Sequence, residues 1–526
     1  MAQYDHIIIG SGINSLVCGA MLSQKERVLV LEREDVIGGT MRSGTLAPGF
    51  TYDPQAMTFL LFVSGPAHAR LGALLRKNGV EFVATDKPTG VLCSNGQSLV
   101  LTTDRAKNAE AFNAENPGDG DAYIAEMESI DGRAPLLFGL FNNPLVSLKT
   151  VRLLATQFAK LRPSGFRLAI GEALSTNRKR LRTRYGSELV QALFAPWPLH
   201  AGLNGDQPFS GGMGAVMAYA LQAFGAPIAK GGAATVPEAM KAIIEQNNRG
   251  ALRTGADVDL VIEGSEGRDV FGVRLADGED VPAPSVVASV TPTQLYGRLL
   301  REWDIPGPTK DAASAYEYGK GNMQIHYALE RPVDWPSKAL KDVQLLHLCD
   351  GIDAVSKASN EAERGMLPET PTVCVGQPSA ADPSRAPEGK AVLWIQLPEC
   401  PRTLKGDAAG EIETPEDGAW TEAVREAYAD RVEAMIEAHV PGFKETVITR
   451  KCLSPGDLAA ANVNLVGGDP YAGWCGLDQF FVFRPLPQSR NYRTAARGVL
   501  QIGASTHPGP GLSGISGYNA ALKLGA

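Results

Sequence analysis

The chain has 526 residues, 44% of them hydrophobic, and its 50 Lys and Arg against 58 Asp and Glu give a formal net charge of −8. This length predicts more than one domain, and the hydrophobic fraction is typical of a globular protein. The negative charge argues against a nucleic-acid partner, and no apolar stretch reaches the roughly eighteen residues that a membrane span needs.

The number and spacing of the cysteines and histidines indicate the redox compartment and bear on whether the chain binds a metal. The seven cysteines are scattered, odd in number and without a C-x-x-C pair, which is typical of a reducing cytoplasm. The seven histidines form no H-x-x-x-H or mixed Cys/His motif, so we expect no metal site. The chain runs almost at once into an apolar strand, so we expect no signal peptide and a cytoplasmic protein.

The amino-terminal segment has the order of a dinucleotide-binding unit. The apolar run 6–9 predicts a buried parallel strand, and the turn Gly10-Ser11-Gly12-Ile13-Asn14-Ser15 separates it from apolar residues at helical spacing. A second apolar run, 28–31, ends on Glu32, twenty residues after Gly12. Strand, glycine turn, helix, strand and terminal acid together predict nucleotide binding.

Four positions in this segment have a specific physical role. Gly10 permits the tight turn, and Gly12 lets a pyrophosphate approach the backbone at the positive end of the helix. Glu32 can accept hydrogen bonds from both hydroxyls of an adenosine ribose, and its charge would repel a 2′-phosphate. Ser15 replaces the usual third glycine, so we expect a slightly wider contact between helix and strand.

A second glycine pair follows the acid. Glu32-Arg33 and Gly38-Gly39-Thr40-Met41-Arg42-Ser43 match the pattern E-R-x-x-x-x-G-G-x-x-x-S. This pattern resembles FAD-dependent oxidoreductases related to amine oxidases and phytoene desaturases. The resemblance implies that the paired glycines, with Thr40 and Met41 after them, pass close to the FAD diphosphate, and that Arg33 belongs to the same site. An ordinary Gly-Gly turn is the alternative.

The segments after this unit predict pocket or core and then a second domain. Residues 49–62 are aromatic and apolar, so they either approach the cofactor or form plain core. A helix over 70–78 and strands over 80–83 and 91–101, with a turn at Asn95-Gly96, indicate the start of the second domain.

Residues 149–184 reverse the overall charge. They hold ten Lys or Arg residues and one acid, Glu172, mixed with apolar runs. An amphipathic basic segment of this kind can rest on an anionic membrane surface and admit a lipophilic substrate. This would place the protein at the inner face of the membrane as a peripheral partner. The alternative is a solvated helical face whose apolar side lies in the core.

Gly231-Gly232 begins a return to the first domain. Thr235 to Glu238 fits a capping box, and the following helix has one apolar face. By the same resemblance, Val258 contacts the adenine through its backbone. Apolar runs predict strands over 258–262, 270–273 and 286–290.

Further on, compositions rich in Pro, Gly and charge predict surface loops over 377–390 and 405–418, followed by a helix over 420–438.

The carboxyl end carries the most specific motifs. GGDP at 467–470, RPLP at 484–487 and an apolar strand over 499–502 precede GASTHPGPGLSG at 503–514 and NAA at 519–521. This set resembles the phytoene dehydrogenase-related family, which includes carotenoid desaturases and isomerases, within the amine oxidase superfamily. The resemblance implies flavin contacts at Gly503, Ala504, Gly514 and Ile515. A helix that begins near Gly514 would direct its free amides at the pyrimidine edge of the flavin.

His507 is the one candidate catalytic residue in this loop. It is the only side chain between Arg497 and Lys523 that titrates near neutral pH. The resemblance places the loop near the flavin ring, which allows a proton-handling role. A structural histidine that holds the Pro-Gly turn is the alternative.

These features together predict an α/β fold. We expect a Rossmann-type FAD-binding domain, discontinuous in sequence, and a mixed α+β substrate domain. The FAD-binding domain takes 1–70, 225–300 and 485–526, and the substrate domain takes 71–224 and 301–484.

The predicted function is that of an FAD-dependent oxidoreductase acting on carbon–carbon bonds of a small hydrophobic substrate, isoprenoid or aromatic, by desaturation, saturation or isomerisation. Hydride transfer takes place at flavin N5, and FAD is held without a covalent bond because neither Cys18 nor Cys475 has a context for attachment. Two alternatives are a flavin amine oxidase and an interaction or chaperone-like protein that contains FAD. The substrate, the electron acceptor and the oligomeric state stay open.

Overall fold

The computed structural model describes residues 3–264 and 269–526. Its strands, in chain order, are β1 His6–Ile9, β2 Val28–Leu31, β3 Gly44–Ala47, β4 Phe50–Tyr52, β5 Phe82–Val83, β6 Thr89–Leu92, β7 Ser98–Leu101, β8 Ile228–Ala229, β9 Gly250–Arg253, β10 Val258–Glu263, β11 Val270–Leu275, β12 Asp280–Pro282, β13 Val286–Ala288, β14 Gly321–Leu329, β15 Leu345–Leu348, β16 Met366–Leu367, β17 Val373–Gly376, β18 Ala391–Cys400, β19 Gly406–Asp407, β20 Val447–Leu453 and β21 Val499–Gln501. Its α-helices are α1 Ile13–Leu22, α2 Leu60–Val63, α3 Pro66–Lys77, α4 Arg105–Glu115, α5 Asp119–Asn142, α6 Leu148–Ala173, α7 Asn177–Arg184, α8 Glu188–Phe194, α9 Ser210–Phe224, α10 Thr235–Glu245, α11 Pro292–Gln294, α12 Gly307–Ser314, α13 Ile352–Glu363, α14 Pro378–Ala381, α15 Glu422–His439, α16 Pro455–Ala461 and α17 Ile515–Lys523.

A five-stranded parallel sheet carries the glycine turn. Its order is β21-β13-β1-β2-β9, and every neighbouring pair is parallel. The strands β1, β2 and β13 are buried along their whole length. This burial arises because α1, α10 and α17 cover one face while the antiparallel β10–β12 sheet covers the other. The arrangement confirms the predicted α/β fold with a Rossmann-type sheet.

A second sheet of seven strands, mostly antiparallel, has the order β20-β14-β18-β17-β15-β6-β7. One face packs on α15 through the core cluster around Tyr428. On the other face, Gln324, Gln396, Cys374 and His347 are direct partners across four neighbouring strands. Residues that pair in register point to the same side of a sheet, so these four side chains form one polar row.

Helices α4 to α9 lie beside this polar face, and the core cluster there includes Phe112, Tyr123 and Phe194. The predicted basic stretch falls on α6 and α7 of this group. Among the described residues, none of the helices combines the length and the apolar character needed to cross a membrane.

Local predictions agree with most of these elements. The helix predicted over 70–78 lies within and just after α3, and the helix predicted over 420–438 is α15. The turn at Asn95-Gly96 joins β6 to β7, with Gly96 at a φ of +84°. Within 49–62, Phe59 and Phe62 are buried in the core, whereas Gln55 and Ala56 line a cavity, so both alternatives for that segment apply to part of it.

The capping-box prediction is wrong. Ala234 is the N-cap residue, and Thr235 is already helical. A turn closed by the Thr235 amide on the Gly232 carbonyl brings the chain into the helix one residue early. The Thr235 hydroxyl therefore donates back to the Gly232 carbonyl at 2.8 Å and caps no helix amide.

Candidate active site

Two cavities lie next to each other where the parallel strands end. The smaller has a volume of about 110 Å³ and the larger about 250 Å³, and both have Gly12, Gly39, Ser289 and Val290 in their walls. Gly12 follows the carboxyl end of β1 and Ser289 that of β13. Ligands of doubly wound α/β folds bind at this edge of the sheet.

The Glu32 carboxylate holds the wall of the smaller cavity together. It is buried, and it accepts hydrogen bonds from the Ser11 amide at 2.9 Å, the Ser11 hydroxyl at 2.5 Å and the Glu34 amide at 3.0 Å. The Ser11 hydroxyl in turn accepts from the Gly38 amide at 3.0 Å. Ser11 therefore ties the glycine turn, the acid and the second glycine pair into one unit.

The helix α1 presents its amino terminus to the place where the cavities meet. Its N-cap, Gly12, offers no side-chain cap, and a Cβ added there would find no atom within 4 Å. Gly39, at a φ of +61°, lies so close that its added Cβ would stand 3.2 Å from the Gly12 Cα. Helix amides without side-chain caps and bare backbone on both sides form a cradle for an anion.

Asn14 and Ser516 connect α1 to α17 behind this cradle. The Ser516 hydroxyl donates to Asn14 Oδ1 at 2.8 Å and accepts from the Gly503 amide at 3.0 Å. The two helices touch at Gly517, where an added Cβ would lie 1.8 Å from the Asn14 carbonyl oxygen. Gly517 therefore allows the close approach that brings residues 503–505 to the wall of the larger cavity.

Arg484 supports the wall of the larger cavity at Ala504 and Tyr471. Its buried guanidinium donates to the Ala504 carbonyl at 2.8 and 3.1 Å, to the Tyr471 carbonyl at 2.7 Å and to the Trp474 carbonyl at 3.0 Å. Asp469 accepts from the amides of Gly319, Tyr471 and Gly473. The RPLP and GGDP motifs thus position Tyr471 and Ala504, which both line the cavity.

The larger cavity is lined without charge. No Asp, Glu, Lys or Arg is found among the described residues of its wall, and its polar groups are amides, hydroxyls and one imidazole. The aromatic side chains in the wall are Tyr471 and His200. The Tyr471 hydroxyl donates to the Leu199 carbonyl, and burial raises its pKa far above the usual value. This wall suits an uncharged ligand.

Comparison with known proteins identifies the family. The family model described as flavin containing amine oxidoreductase matches residues 16–449. This chain belongs to that family. The predicted resemblance to the amine oxidase superfamily is thereby confirmed, and the enzyme is an FAD-dependent oxidoreductase. This result sets aside the interaction-protein alternative.

The alignments with similar proteins cover nearly the whole length of this chain. Pyridine nucleotide-disulfide oxidoreductase domain-containing protein 2 of Rattus norvegicus is 29% identical over 99% of this chain and 93% of its own length. Phytoene desaturase (neurosporene-forming) of Rhodobacter capsulatus is 24% identical over 97% of this chain and 91% of its own. The crystal structure of an oxidoreductase from Methanosarcina mazei matches with a TM-score of 0.59 at 16% identity over 99% of both chains, which shows a shared fold.

The residues that line the two cavities fit the parts of an FAD molecule. The cradle at Gly12 and Gly39 would hold the diphosphate, and the smaller cavity at Glu32 would hold the adenosine. The larger cavity, beside Gly503, leaves room for the ring and a substrate. Within the described residues no cysteine lines either cavity, and non-covalent binding of FAD stays a prediction.

The predicted FAD-binding residues fall into three groups: those that line the smaller cavity, those that line the larger cavity and those that line neither. The smaller cavity is lined by Gly10, Gly12, Glu32, Arg33, Gly39 and Val258. The larger cavity is lined by Gly12, Ile13, Asn14, Gly39, Thr40, Gly503 and Ala504. The walls of both cavities lack Ser15, Gly38, Met41, Gly514 and Ile515.

The residues of the third group lie behind the cavity walls. Ser15 and Met41 are buried, and Gly514 lies against Val17 of α1 as it turns the chain into α17. The Ile515 amide donates to the Ser513 hydroxyl at 3.3 Å, so it is already partnered. Their direct contact with FAD stays a prediction.

The smaller cavity also contains residues that the sequence did not suggest. Arg298 donates to Asp257 at 2.7 Å and to the Val258 carbonyl at 2.8 Å, which fixes the strand end at the cavity. Asn464 lies in the walls of both cavities, where it donates to the Ser289 carbonyl and accepts from the Thr291 amide. Arg298 comes shortly after β13 and Asn464 shortly after α16, and neither belongs to a local motif that indicates a cavity.

His507 lies outside the wall of the larger cavity. Its Nε2 lies 2.9 Å from the Leu140 carbonyl and 3.1 Å from the Asn143 carbonyl, so Nε2 is the protonated nitrogen and donates to both. Burial lowers its pKa to about 4. The ring therefore ties the loop to the end of α5, which favours the structural alternative over proton handling.

A cluster of His200, His347 and Cys374 stands at the inner end of the polar row. The two histidine Nε2 atoms lie 2.9 Å apart, and the three donor atoms fall within 4.8 Å of one another. Burial lowers the pKa of His200 to about 4 and holds that of the Cys374 thiol well above its usual value. A neutral histidine pair that shares one hydrogen bond explains this geometry, and the thiol stays protonated. Sequence separations of 147 and 27 residues concealed the cluster.

Proposed function

We propose that this flavoenzyme catalyses desaturation, saturation or isomerisation at a carbon–carbon bond of an uncharged, largely apolar substrate. The observation that carries the proposal is the uncharged wall of the larger cavity. When FAD is bound, its isoalloxazine ring supplies the hydride-accepting or hydride-donating centre. The name of the phytoene desaturase relative, which describes a desaturation, points in the same direction.

The chain's own residues contribute binding, orientation and exclusion of water. Leu458, Leu465 and Leu512 give the cavity its apolar part, and Tyr471 and Ala504 are fixed by Arg484. His200 is neutral at pH 7 because burial lowers its pKa to about 4. The wall therefore offers orientation and a dry environment, and its titratable groups keep their protons in place.

Amine oxidation is the competing function. An amine reaches an enzyme mainly as an ammonium ion, whose transfer into a buried cavity is costly without a carboxylate or an aromatic cage. The described wall has no carboxylate, and its aromatic groups are Tyr471 and His200. This composition favours the carbon–carbon reaction.

A matched pair of reductants tests the proposal. The purified holoenzyme is mixed without oxygen with a cyclohexylamine derivative or with the corresponding cyclohexene, and loss of the visible flavin absorbance is recorded. We expect bleaching by uncharged compounds with allylic hydrogens and none by amines. Bleaching by amines alone would refute the proposal.

A further inference from the structure

Among the described residues that line the larger cavity, Gln324 has the one buried side-chain atom without a hydrogen-bond partner. It lies in the cavity wall, it is 3% exposed, and its Oε1 atom has no hydrogen-bond partner. Buried amide oxygens in folded proteins are almost always paired. A side chain that is held unpaired beside an active-site cavity is therefore a candidate for ligand recognition.

The neighbours of Gln324 in the polar row have partners among themselves. With the Asn322 amide oriented so that its oxygen faces a donor, Gln396 Nε2 lies 2.6 Å from the Asn322 side-chain oxygen, and the Asn322 nitrogen reaches the carbonyls of Gly321 and Pro398 at 3.2 Å. On the far side of the row, His347 pairs with His200. His347 also has a buried nitrogen without a partner, Nδ1, but His347 does not line the larger cavity, whereas Gln324 does.

We propose that Gln324 binds a hydroxyl group of the substrate. A hydroxyl both donates and accepts, so it satisfies either orientation of the amide, whereas a hydrocarbon leaves the amide unpaired. The uncharged wall excludes a carboxylate or an ammonium in this role. The inference rests on the proposed function and narrows its substrate class to apolar alcohols or phenols.

The test compares two ligands that differ only in this group. Hexahydrofarnesol, the fully saturated counterpart of farnesol, and the analogue with a methyl group in place of its hydroxymethyl group carry no allylic hydrogens. Both are titrated into the oxidised holoenzyme, and dissociation constants are taken from the change in the flavin spectrum. We expect the alcohol to bind about tenfold more tightly, the factor that one hydrogen bond supplies. In Gln324→Leu this preference should disappear.

Met323→Leu serves as the control, because Met323 lies on the opposite face of β14 and is buried in the core cluster around Tyr428. It should keep the preference for the alcohol. Equal affinities in the unmodified enzyme, or a preference that survives in Gln324→Leu, would overturn the inference. Since these saturated ligands bind without turnover, a failure here leaves the reaction type standing, whereas bleaching of the flavin by amines alone would refute the reaction type and not this binding result.

A second observation concerns the surface of α6. This helix consists of two segments that meet at a kink at Arg162, whose φ is +58°. Residues 146–174 hold eight of the sixteen large hydrophobic side chains that are exposed among the described residues. Leu148, Val151 and Phe158 are 78%, 60% and 48% exposed and share one helical face. An exposed apolar patch of this concentration marks an interaction surface.

The charge on α6 indicates the partner. The helix also carries exposed bases at Lys149, Arg152 and Lys160, on the side next to Leu148, and its acid, Glu172, pairs with Arg133 at 3.0 Å. Two copies of such a face would repel each other. An anionic surface with an apolar interior, which is a membrane, complements both properties.

The helix α7 does not share this property, although it belongs to the predicted stretch 149–184. Arg178 pairs with Asp206 and Asp353, and the buried Arg180 pairs with Glu126 at 2.7 Å. These arginines serve the fold. We infer that α6 alone rests on an anionic membrane, next to the recess that Val146 forms with His507 of the 503–514 loop.

Vesicle sedimentation tests this surface. The holoenzyme should sediment with vesicles of phosphatidylcholine and phosphatidylserine, less so as salt rises, and not with phosphatidylcholine alone. Neutralising Lys149, Arg152 and Lys160 to Gln should lower the affinity by about 100-fold, since each base contributes roughly fivefold. The double variant Val151→Ser and Phe158→Ser should also lose binding.

The control is Phe271→Ser, because Phe271 is 50% exposed on β11, outside this surface. It should bind like the unmodified enzyme. Vesicle binding that ignores salt and the α6 variants would overturn the inference. So would a dimer, seen by light scattering, that the double α6 variant dissociates while no vesicle binding occurs.

Discussion

Arg484 and Ala504, twenty residues apart, are joined by two hydrogen bonds of 2.8 and 3.1 Å from the guanidinium to the carbonyl oxygen. The same guanidinium reaches the Tyr471 carbonyl at 2.7 Å, so one buried cation fixes two parts of the wall of the larger cavity. A residue in a motif of the carboxyl end thus acts on the larger cavity through its neighbours, and its own side chain does not line that cavity.

Replacing Arg484 by Met should loosen this wall. The substitution keeps the apolar stem but leaves buried carbonyl groups without donors, at a cost of about 1–3 kcal/mol for each. We expect a lower melting temperature and weaker FAD binding, both measured on purified protein by thermal melting and flavin titration. Arg484→Lys, which keeps the charge but offers fewer directed donors, should show an intermediate effect. A variant with unchanged FAD affinity would contradict the positioning role.

Ser11→Ala should weaken FAD binding although it removes only one oxygen. The hydroxyl links Glu32 to the Gly38 amide, and its loss frees the second glycine pair from the first. Hydrogen bonds to a charged group contribute about 1.5–3 kcal/mol, so a loss of roughly tenfold in FAD affinity is expected. Glu32→Ala should lose at least as much, because the ribose contacts disappear as well. Ser64→Ala, a change of the same size outside both cavities, is the control.

His507→Gln should leave the chemical step nearly intact. The Gln amide can still donate to the Leu140 and Asn143 carbonyls, so the loop keeps its attachment. We expect anaerobic flavin bleaching within about twofold of the unmodified enzyme, as is usual for a substitution that preserves contacts. A large loss of rate in the variant without a change in melting temperature would instead support proton handling. The rate of the unmodified enzyme should then also depend on pH through an ionisation that the variant lacks.

The buried histidines make stability depend on pH. Burial lowers the pKa values of His200 and His507 to about 4, below the value of about 6.5 in an unfolded chain. The contribution of these two histidines to the free energy of unfolding is fully present above pH 6.5. It is lost as the pH falls towards 4, because the unfolded state binds protons before the folded state does. The melting temperature should therefore fall over this range, and less steeply in His507→Gln.

Glu126→Gln should destabilise the fold strongly. Glu126 accepts from Arg180 at 2.7 and 2.8 Å and from the Tyr185 hydroxyl at 3.0 Å, and both ionic side chains are about 5% exposed. Removing one partner of a buried ion pair costs about 3–5 kcal/mol. Denaturant unfolding measures this loss. Asp131→Asn, which removes an exposed pair with Arg105, should cost under about 1 kcal/mol.

The parts of the fold that follow from neighbouring residues were predictable from the sequence. The strand, glycine turn and helix at Gly10 to Ser15 form from contiguous residues, so their pattern is visible directly. The polar row could not be seen, because Gln324 and His347 meet the same face only through the pairing of four strands. The charge of α7 was misleading for the same reason, since Asp206 and Glu126 are distant in sequence.

The most direct test of the account is the identity of the product after a single turnover. Oxidised holoenzyme and, in a parallel sample, holoenzyme reduced with dithionite are each mixed without oxygen with one equivalent of an isoprenoid alcohol, and the organic products are analysed by mass spectrometry and NMR. The account predicts a product with the carbon skeleton and hydroxyl retained, and with a carbon–carbon double bond gained in the oxidised sample, lost in the reduced sample or moved in either. An aldehyde or ketone formed at the hydroxyl carbon, or turnover of amines with release of ammonia, would contradict it.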